Sequence, residues 1–196
     1  MEKGTYALVM ALKMEAAIAV GRLGCSGGRG GENEITFPAG YYVYLGSARG
    51  GLSARVGRHL KREKRCYWHI DYLIQFAEVV EVWYSPEEGE AEWGERKEEV
   101  ESGERTGVKG VGGIRKKVKG VGGVLKKECL WCQVARGMPQ GQTLIPGFGS
   151  SDCRCPAHLV YFPSPPSFEL FRRMLEERGY GAKKASPIDF KRRLLD

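Results

Sequence analysis

Apolar positions along the chain alternate between short continuous runs and stripes spaced by three or four, a pattern that predicts interleaved strands and helices. Tyr6–Leu12 (YALVMAL) is apolar enough for a buried strand. Tyr41–Leu45 (YYVYL), aromatic and β-branched between Gly40 and Gly46, predicts a second strand that pairs with the first. The glycine-rich stretch from Gly21 to Gly31 reads as a mobile loop between them, and Ile35, Phe37 and Pro38 lead back to the second strand. Gly50 and Gly51 open a helix to about Lys64, on which Leu52, Val56 and Leu60 make an apolar stripe. Further on, the pattern predicts a helix over 68–77, a strand over 79–84, a helix from near Glu128, a strand over 159–162 and an amphipathic helix over 168–178. The expected fold is mixed α/β (α+β), with a small, mainly antiparallel sheet of about three strands flanked by helices.

Charge interrupts this pattern once. Ser85 to Glu104 contains nine glutamates against Arg96 and Lys97, and Arg105 to Lys127 contains eight basic residues and no acid. Within the basic half, VKGVGGIRKK at 108–117 is followed by VKGVGGVLKK at 118–127, too short for a solenoid and too rich in glycine for a stable helix. Residues 85–127 therefore read as a low-complexity insertion. It is either a solvated arm whose two limbs attract each other or a nucleic-acid tether. The expected organisation is a single domain over 1–196, with this insertion and a C-terminal extension at 137–196.

Composition adds constraints rather than changing the picture. A chain of 196 residues with 42% hydrophobic and 28% charged residues can bury a core, which excludes wholesale disorder and pure coiled coil. No apolar run approaches the roughly 18–20 residues of a membrane span, and the opening MEKGTYALVMALKMEAA lacks the order of a signal peptide, so a cytoplasmic protein with no membrane partner is expected. Six cysteines in such a chain are expected as reduced thiols.

The formal charge is +7, and Ser47 to Arg65 alone, with seven basic residues and one acid, nearly accounts for it. On the helix predicted there, Arg55, Arg58, His59 and Arg62 recur at spacings of three and four and so project in similar directions. With Arg49 just before the helix they form a candidate phosphate-binding face, which points to a nucleic-acid partner. Cleaving a phosphodiester requires an activated water, stabilisation of transition-state charge and relief of the leaving oxygen's charge. A divalent cation and an arginine can supply most of this.

Gly4, Thr5 and Tyr6 on the first strand, Tyr44, Leu45 and Gly46 on the second, then Arg55 and His59 one turn apart, and Glu128 opening a later helix, together resemble the GIY-YIG nuclease superfamily. The likeness covers Gly4 to about Arg136. The rest, including IPGFGSSDCRCPAHLVYF at 145–162, looks like a mainly archaeal branch of that superfamily, some of whose members are fused to endonuclease III-like glycosylases. The resemblance implies a metal-dependent endonuclease acting on DNA, in repair or recombination and in association with a repair enzyme. It implies Tyr6, Tyr44, Arg55, His59 and Glu128 as catalytic groups and one Mg²⁺ or Mn²⁺ held by Glu128. Arg49, Arg58, Arg62 and His69 are the expected substrate-binding residues, with Asp71 orienting the His69 ring. Tyr6 takes the base role by resemblance, but a phenol of reference pKa near 10 is a poor base at neutral pH, and His59 or metal-bound hydroxide competes for it. The chain departs from the pattern in Thr5, in a longer connection between the tyrosine motifs, in the extra glycine at 50–51, and in lacking a late asparagine. Its only asparagine is Asn33, and Asp152 is a candidate substitute, either beside Glu128 or holding Arg154.

Cysteine spacing supplies a different chemistry. Cys129 and Cys132 form a CxxC, and Cys153, Cys155 and His158 form a CxCxxH, so four ligands for a structural zinc can be drawn from these five residues. Two alternatives to the nuclease therefore stand: a non-catalytic nucleic-acid-binding accessory module using the basic helix, and a zinc-stabilised interaction protein.

Overall fold

The computed structural model describes residues 2–21, 23, 34–61, 63–87 and 126–192. The two longest strands are β1 (Gly4–Leu12) and β4 (Gly40–Ala48), which pair antiparallel along their whole length from Gly4 opposite Ala48 to Leu12 opposite Gly40. β5 (Glu78–Pro86) lies antiparallel on the other side of β1. Two short strands from the C-terminal half then complete the sheet: β6 (Leu159–Phe162) beside β4 and β7 (Lys183–Ala185) beside β5. The order is β6-β4-β1-β5-β7, every pair antiparallel. The class agrees with the expectation, but the sheet has five strands rather than about three, because both edges come from residues 137–196. A separate pair, β2 (Ala16–Ala19) and β3 (Glu34–Phe37), flanks the stretch expected as a glycine-rich loop, of which 22 and 24–33 lie outside the described residues.

Why the central strand reads as an unbroken apolar run follows from its two covered faces. Tyr6, Leu8 and Met10 join one core with Tyr42, Tyr44, Val82 and Tyr84, while Ala7 and Val9 join a second with Val43, Leu45, Trp83 and Val160. The first core is closed by α1 (Leu52–His59), α2 (His69–Leu73), Phe148 and Phe190 of α5 (Pro187–Arg192). The second is closed by α3 (Lys127–Gly137) and α4 (Phe168–Glu176), through Trp131, Val134, Phe171 and Leu175. Side chains alternate across a strand, so Tyr6 and Tyr44 share the face that α1 covers.

Two helices are shorter than their apolar stripes predict. α1 stops at His59 because Lys64 folds back and donates its ammonium to the carbonyl of His59 (2.7 Å), satisfying the helix end that continued winding would have used. Among the described residues between them none is helical, and α2 spans 69–73 rather than 68–77. The charged segment 85–127 begins as the end of β5 and finishes as the start of α3; 88–125 lie outside the described residues. Among the described residues no helix is long and apolar enough to cross a membrane.

The glycines of both tyrosine triplets have steric causes. Gly46 faces Tyr6 across the strand pair, and a Cβ there would lie 2.6 Å from the Tyr6 hydroxyl. Gly4 is pressed between the Ser85 carbonyl and the Leu52 side chain. We predict that Gly46→Ala lowers the urea-unfolding free energy by about 1–3 kcal/mol through overpacking. Gly50→Ala, whose new Cβ meets nothing within 4 Å, should leave it nearly unchanged. Equal effects of the two would contradict the packing assigned to Tyr6.

Candidate functional site

At the end where β1 begins and β4 finishes, a cavity of about 460 Å³ is lined by Tyr6, Tyr44, Arg55, His59, His69 and Glu128. β1 and β4 supply the phenols, α1 the guanidinium and imidazole, α2 the second histidine, and the first turn of α3 the carboxylate. The loop between α3 and β6 closes one side with Gly149, Ser151, Asp152 and His158. All five residues expected as catalytic thus border one space, together with His69.

Tyr6 Oη and His59 Nε2 lie 2.8 Å apart, in a nearly sealed position. His59 Nδ1 is 3.7 Å from Asp71 Oδ1, too long for a hydrogen bond, and has no other polar partner among the described residues. A carboxylate on that side favours the ring proton on Nδ1, which leaves Nε2 to accept from the phenol. Burial pushes the Tyr6 phenol well above its ordinary pKa, Tyr44 adds to this, and Arg55 only partly offsets it. Burial likewise pushes Tyr44 up to about 12. It also holds His59 below the usual histidine value despite Asp71. The resting pair is therefore neutral phenol on neutral imidazole.

Asp71, expected to orient His69, instead serves His59. Its side chain is fully buried and accepts a two-pronged pair of bonds from Arg58 (2.9 Å each) and the backbone N–H groups of Tyr67 and Trp68 (3.0 Å each). Lys64 Nζ stands 3.4 Å away. Burial alone would raise this carboxyl; the contacts with His59 and Arg58 and the two N–H donors outweigh it and hold the group far below the carboxylate range. Arg58, expected to bind substrate, directs its fork to Asp71 and is not among the residues that line the cavity. Arg55, one turn earlier, stacks on Trp68 with its charged carbon 4.3 Å from the ring centroid. It has no ion pair among the described residues and faces the cavity.

His69 is placed by the α3–β6 loop: the Gly149 N–H donates to its Nδ1 at 3.1 Å, putting the ring proton of the neutral form on Nε2. Gly149 is in the left-handed region (φ 71°), and a Cβ there would lie 2.9 Å from the Tyr44 ring. Glu128 is only 8% exposed, and its carboxylate has no hydrogen bond or ion pair among the described residues. Asp152 lines the cavity but is paired with Lys126 (2.7 Å), which depresses its pKa. Arg49 is exposed in the turn after β4 and is not a lining residue. Arg62 and Asn33 lie outside the described residues.

Beside Glu128, Cys129 meets Cys153, Cys155 and His158, with all four ligand atoms within 4.8 Å of one another. His158 Nε2 is 3.2 Å from Cys153 Sγ and 3.8 Å from Cys129 Sγ. Burial, reinforced by the neighbouring thiols, pushes Cys129 well above the usual thiol pKa, and burial pushes Cys155 to about 11. These sulfurs stay protonated unless a cation sits among them. The cluster could hold a metal ion. Cys132, the fifth candidate, is not part of it; its thiol donates to the Ala157 carbonyl at 2.8 Å from within the second core.

Reading the sequence missed the centrality of Asp71, the capping role of Lys64 and the dual position of His158 in cavity and cluster. The Trp68 to Asp71 spacing, that of a helix N-cap and its third residue, is a signal that could have placed the aspartate. A sequence model of one protein family, described as a domain of unknown function, DUF123, matches residues 5–116 and 114–179. No curated protein and no solved structure matches the chain.

The ionisable groups set a pH window for stability. Unfolded histidines titrate near about 6.5, so below that pH the unfolded chain binds protons that His59 and His69, both held low by burial, resist; stability then falls with falling pH. Asp71 adds a further loss below about pH 4. Above about pH 10 the unfolded tyrosines ionise while Tyr6 and Tyr44 resist, so stability falls again. A melting temperature that drops on acidification from about pH 7 to 5 and on alkalinisation past about pH 10 is expected; a rise on acidification would contradict these assignments.

Proposed function

We propose that this chain, which belongs to the DUF123 family, is a metal-dependent endonuclease of GIY-YIG type that hydrolyses phosphodiester bonds in DNA. The observation that carries the reading is the convergence of Tyr6, Tyr44, Arg55, His59 and Glu128 on one cavity from four separate elements. A buried tyrosine usually finds a hydrogen-bond partner, so the bond from Tyr6 to His59 alone would not distinguish it. What supports the reading is that this bonded pair shares the cavity with Arg55, which has no ion pair among the described residues.

The chemistry follows from the pairing. A phenol whose pKa burial has raised cannot act alone as a base at neutral pH. With neutral His59 accepting at 2.8 Å, Tyr6 can take a proton from the attacking water while passing its own to the imidazole. The cation so formed lies against the Asp71 carboxylate. The water oxygen bonds to phosphorus, the bond to the leaving oxygen breaks and that oxygen takes up a proton from solvent, while the guanidinium of Arg55 offers a planar fork to the phosphoryl oxygens. Tyr44, on the same face, presents a second hydroxyl to water or phosphate.

A hard divalent ion fits the oxygen donors present, because Glu128 offers a carboxylate with no partner among the described residues at the cavity wall. Mg²⁺ or Mn²⁺ held there would supply Lewis-acid stabilisation of the developing phosphoryl charge. The sulfur-rich cluster next to it suits zinc instead, since sulfur and imidazole select a softer ion. Tyr67, 78% accessible, lines the rim of the cavity and offers an exposed ring to a nucleic-acid strand.

Incubation with supercoiled plasmid, branched and single-stranded DNA, with and without Mn²⁺, tests the reading. Wild type should give Mn²⁺-dependent product. Glu128→Gln and Arg55→Ala should each lower the rate by about 10² or more while retaining salt-sensitive binding. Tyr6→Phe should fall similarly. Cleavage by Glu128→Gln at the wild-type rate, or binding with no product under any condition, would overturn it.

A further inference from the structure

The segment that closes the cavity has an unusual composition for a wall. Between buried Phe148 and buried Ala157 run Gly149, Ser150, Ser151, Asp152, Cys153, Arg154, Cys155 and Pro156, none of which inserts an aliphatic or aromatic side chain into either core. The base of the loop is secured: Gly147 N–H donates to the Pro156 carbonyl, His158 N–H to the Phe148 carbonyl (both 2.7 Å), and Leu45 N–H of β4 to the His158 carbonyl (2.9 Å). Its tip has weaker ties: Cys153 N–H donates to the Ser150 carbonyl at 3.3 Å, and exposed Lys126 at the start of α3 donates to the Asp152 carbonyl (3.1 Å) and pairs with its carboxylate, contacts of a kind that contribute little at a surface.

What does gather at that junction is sulfur. Cys153 and Cys155 come from the tip, His158 from the base and Cys129 from the first turn of α3. Tetrahedral zinc, with bonds of about 2.3 Å to sulfur and 2.0 Å to nitrogen, places neighbouring ligand atoms roughly 3.5–3.8 Å apart. His158 Nε2 lies 3.2 Å from Cys153 Sγ and 3.8 Å from Cys129 Sγ, and no two of the four ligand atoms are more than 4.8 Å apart, so the set is already close to tetrahedral spacing. Three thiols and an imidazole form a closed structural set, with no position left for a reacting water.

We infer that Cys129, Cys153, Cys155 and His158 bind one Zn²⁺ that latches the loop 149–155 to the start of α3, and that this latch builds the cavity wall carrying Glu128. The metal site stands on its own geometry; its consequence for catalysis rests on the proposed nuclease reading. Glu128 directly precedes one ligand, and Gly149, which orients His69 and packs on Tyr44, begins the segment that the other ligands anchor. Zinc occupancy therefore sets the positions of a carboxylate, an imidazole and a phenol at once, although no zinc-bound group touches substrate. Loss of the ion would release the wall and leave the five-stranded sheet intact.

The test uses the full chain reconstituted with Co²⁺ in place of zinc. One equivalent should give the intense visible bands and sulfur-to-cobalt charge-transfer absorption of a tetrahedral thiolate site, lost on adding one equivalent of Zn²⁺. Cys155→Ser should weaken Co²⁺ binding at least tenfold, and Cys132→Ala should leave it unchanged. In hydrogen exchange, removing the zinc should deprotect 149–155 and the first turn of α3 by tenfold or more while β1 and β4 keep their protection. Absence of the bands, equal effects of the two cysteine variants, or unchanged exchange on zinc removal would each overturn the inference. Glu128→Gln separates the readings: it should abolish Mn²⁺-dependent cleavage with the cobalt spectrum unaltered, so a failed nuclease assay leaves this result interpretable.

Discussion

The site is organised around one buried carboxylate. Asp71 has no exposed side-chain surface, and an isolated charge so placed would cost several kcal/mol in desolvation. It is stable only because the chain brings Arg58, Lys64, the N–H groups of Tyr67 and Trp68 and the ring of His59 around it. Satisfying it fixes the end of α1, the start of α2 and the run between them. As a consequence His59 is held against Tyr6, and Trp68 is held as the platform for Arg55. His59 and Arg55, which line the cavity, inherit their positions from a residue that does not.

Much of the fold was legible because burial on both faces leaves a plain signature. The runs at 6–12, 41–45, 79–84 and 159–162 are strands, and the pairing of the first two holds over nine residues. What was not legible has local physical causes. β2 and β7 are three or four residues long and partly exposed, too short for periodicity to register. The end of α1 is decided by Lys64 reaching back to a carbonyl, a tertiary choice that overrides a stripe still apolar at Leu60. Residues 137–196 read as an extension since their strands are short and lie about a hundred residues or more from their partners.

The site was legible where chemistry is tied to a sterically special backbone. Gly4 and Gly46 are spelled beside Tyr6 and Tyr44 because the sheet needs close approach there, and Arg55 and His59 follow at one helical turn. Helical spacing alone could not separate Arg58 from Arg55, because cations on one face look equivalent until a buried partner such as Asp71 claims one. The same limit applied to Asp71: adjacency in sequence placed it with His69, whereas the fold turns His69 towards Gly149. The cysteine spacing offered five ligands, and only packing chose between them, sending Cys132 to the second core.

Two kinds of donor lie side by side on α3, the Glu128 carboxylate at the cavity and the Cys129 thiol in the cluster that could hold a metal ion. Their separation is the sharpest test of the account. Crystals of the zinc-loaded protein soaked in Mn²⁺ and examined by anomalous diffraction at the manganese and zinc edges would locate both ions. The account predicts manganese at the Glu128 carboxylate inside the space bounded by Tyr6, Tyr44 and Arg55, with zinc confined to the thiolates. Manganese absent from that carboxylate, or bound only among the cysteines, would contradict it.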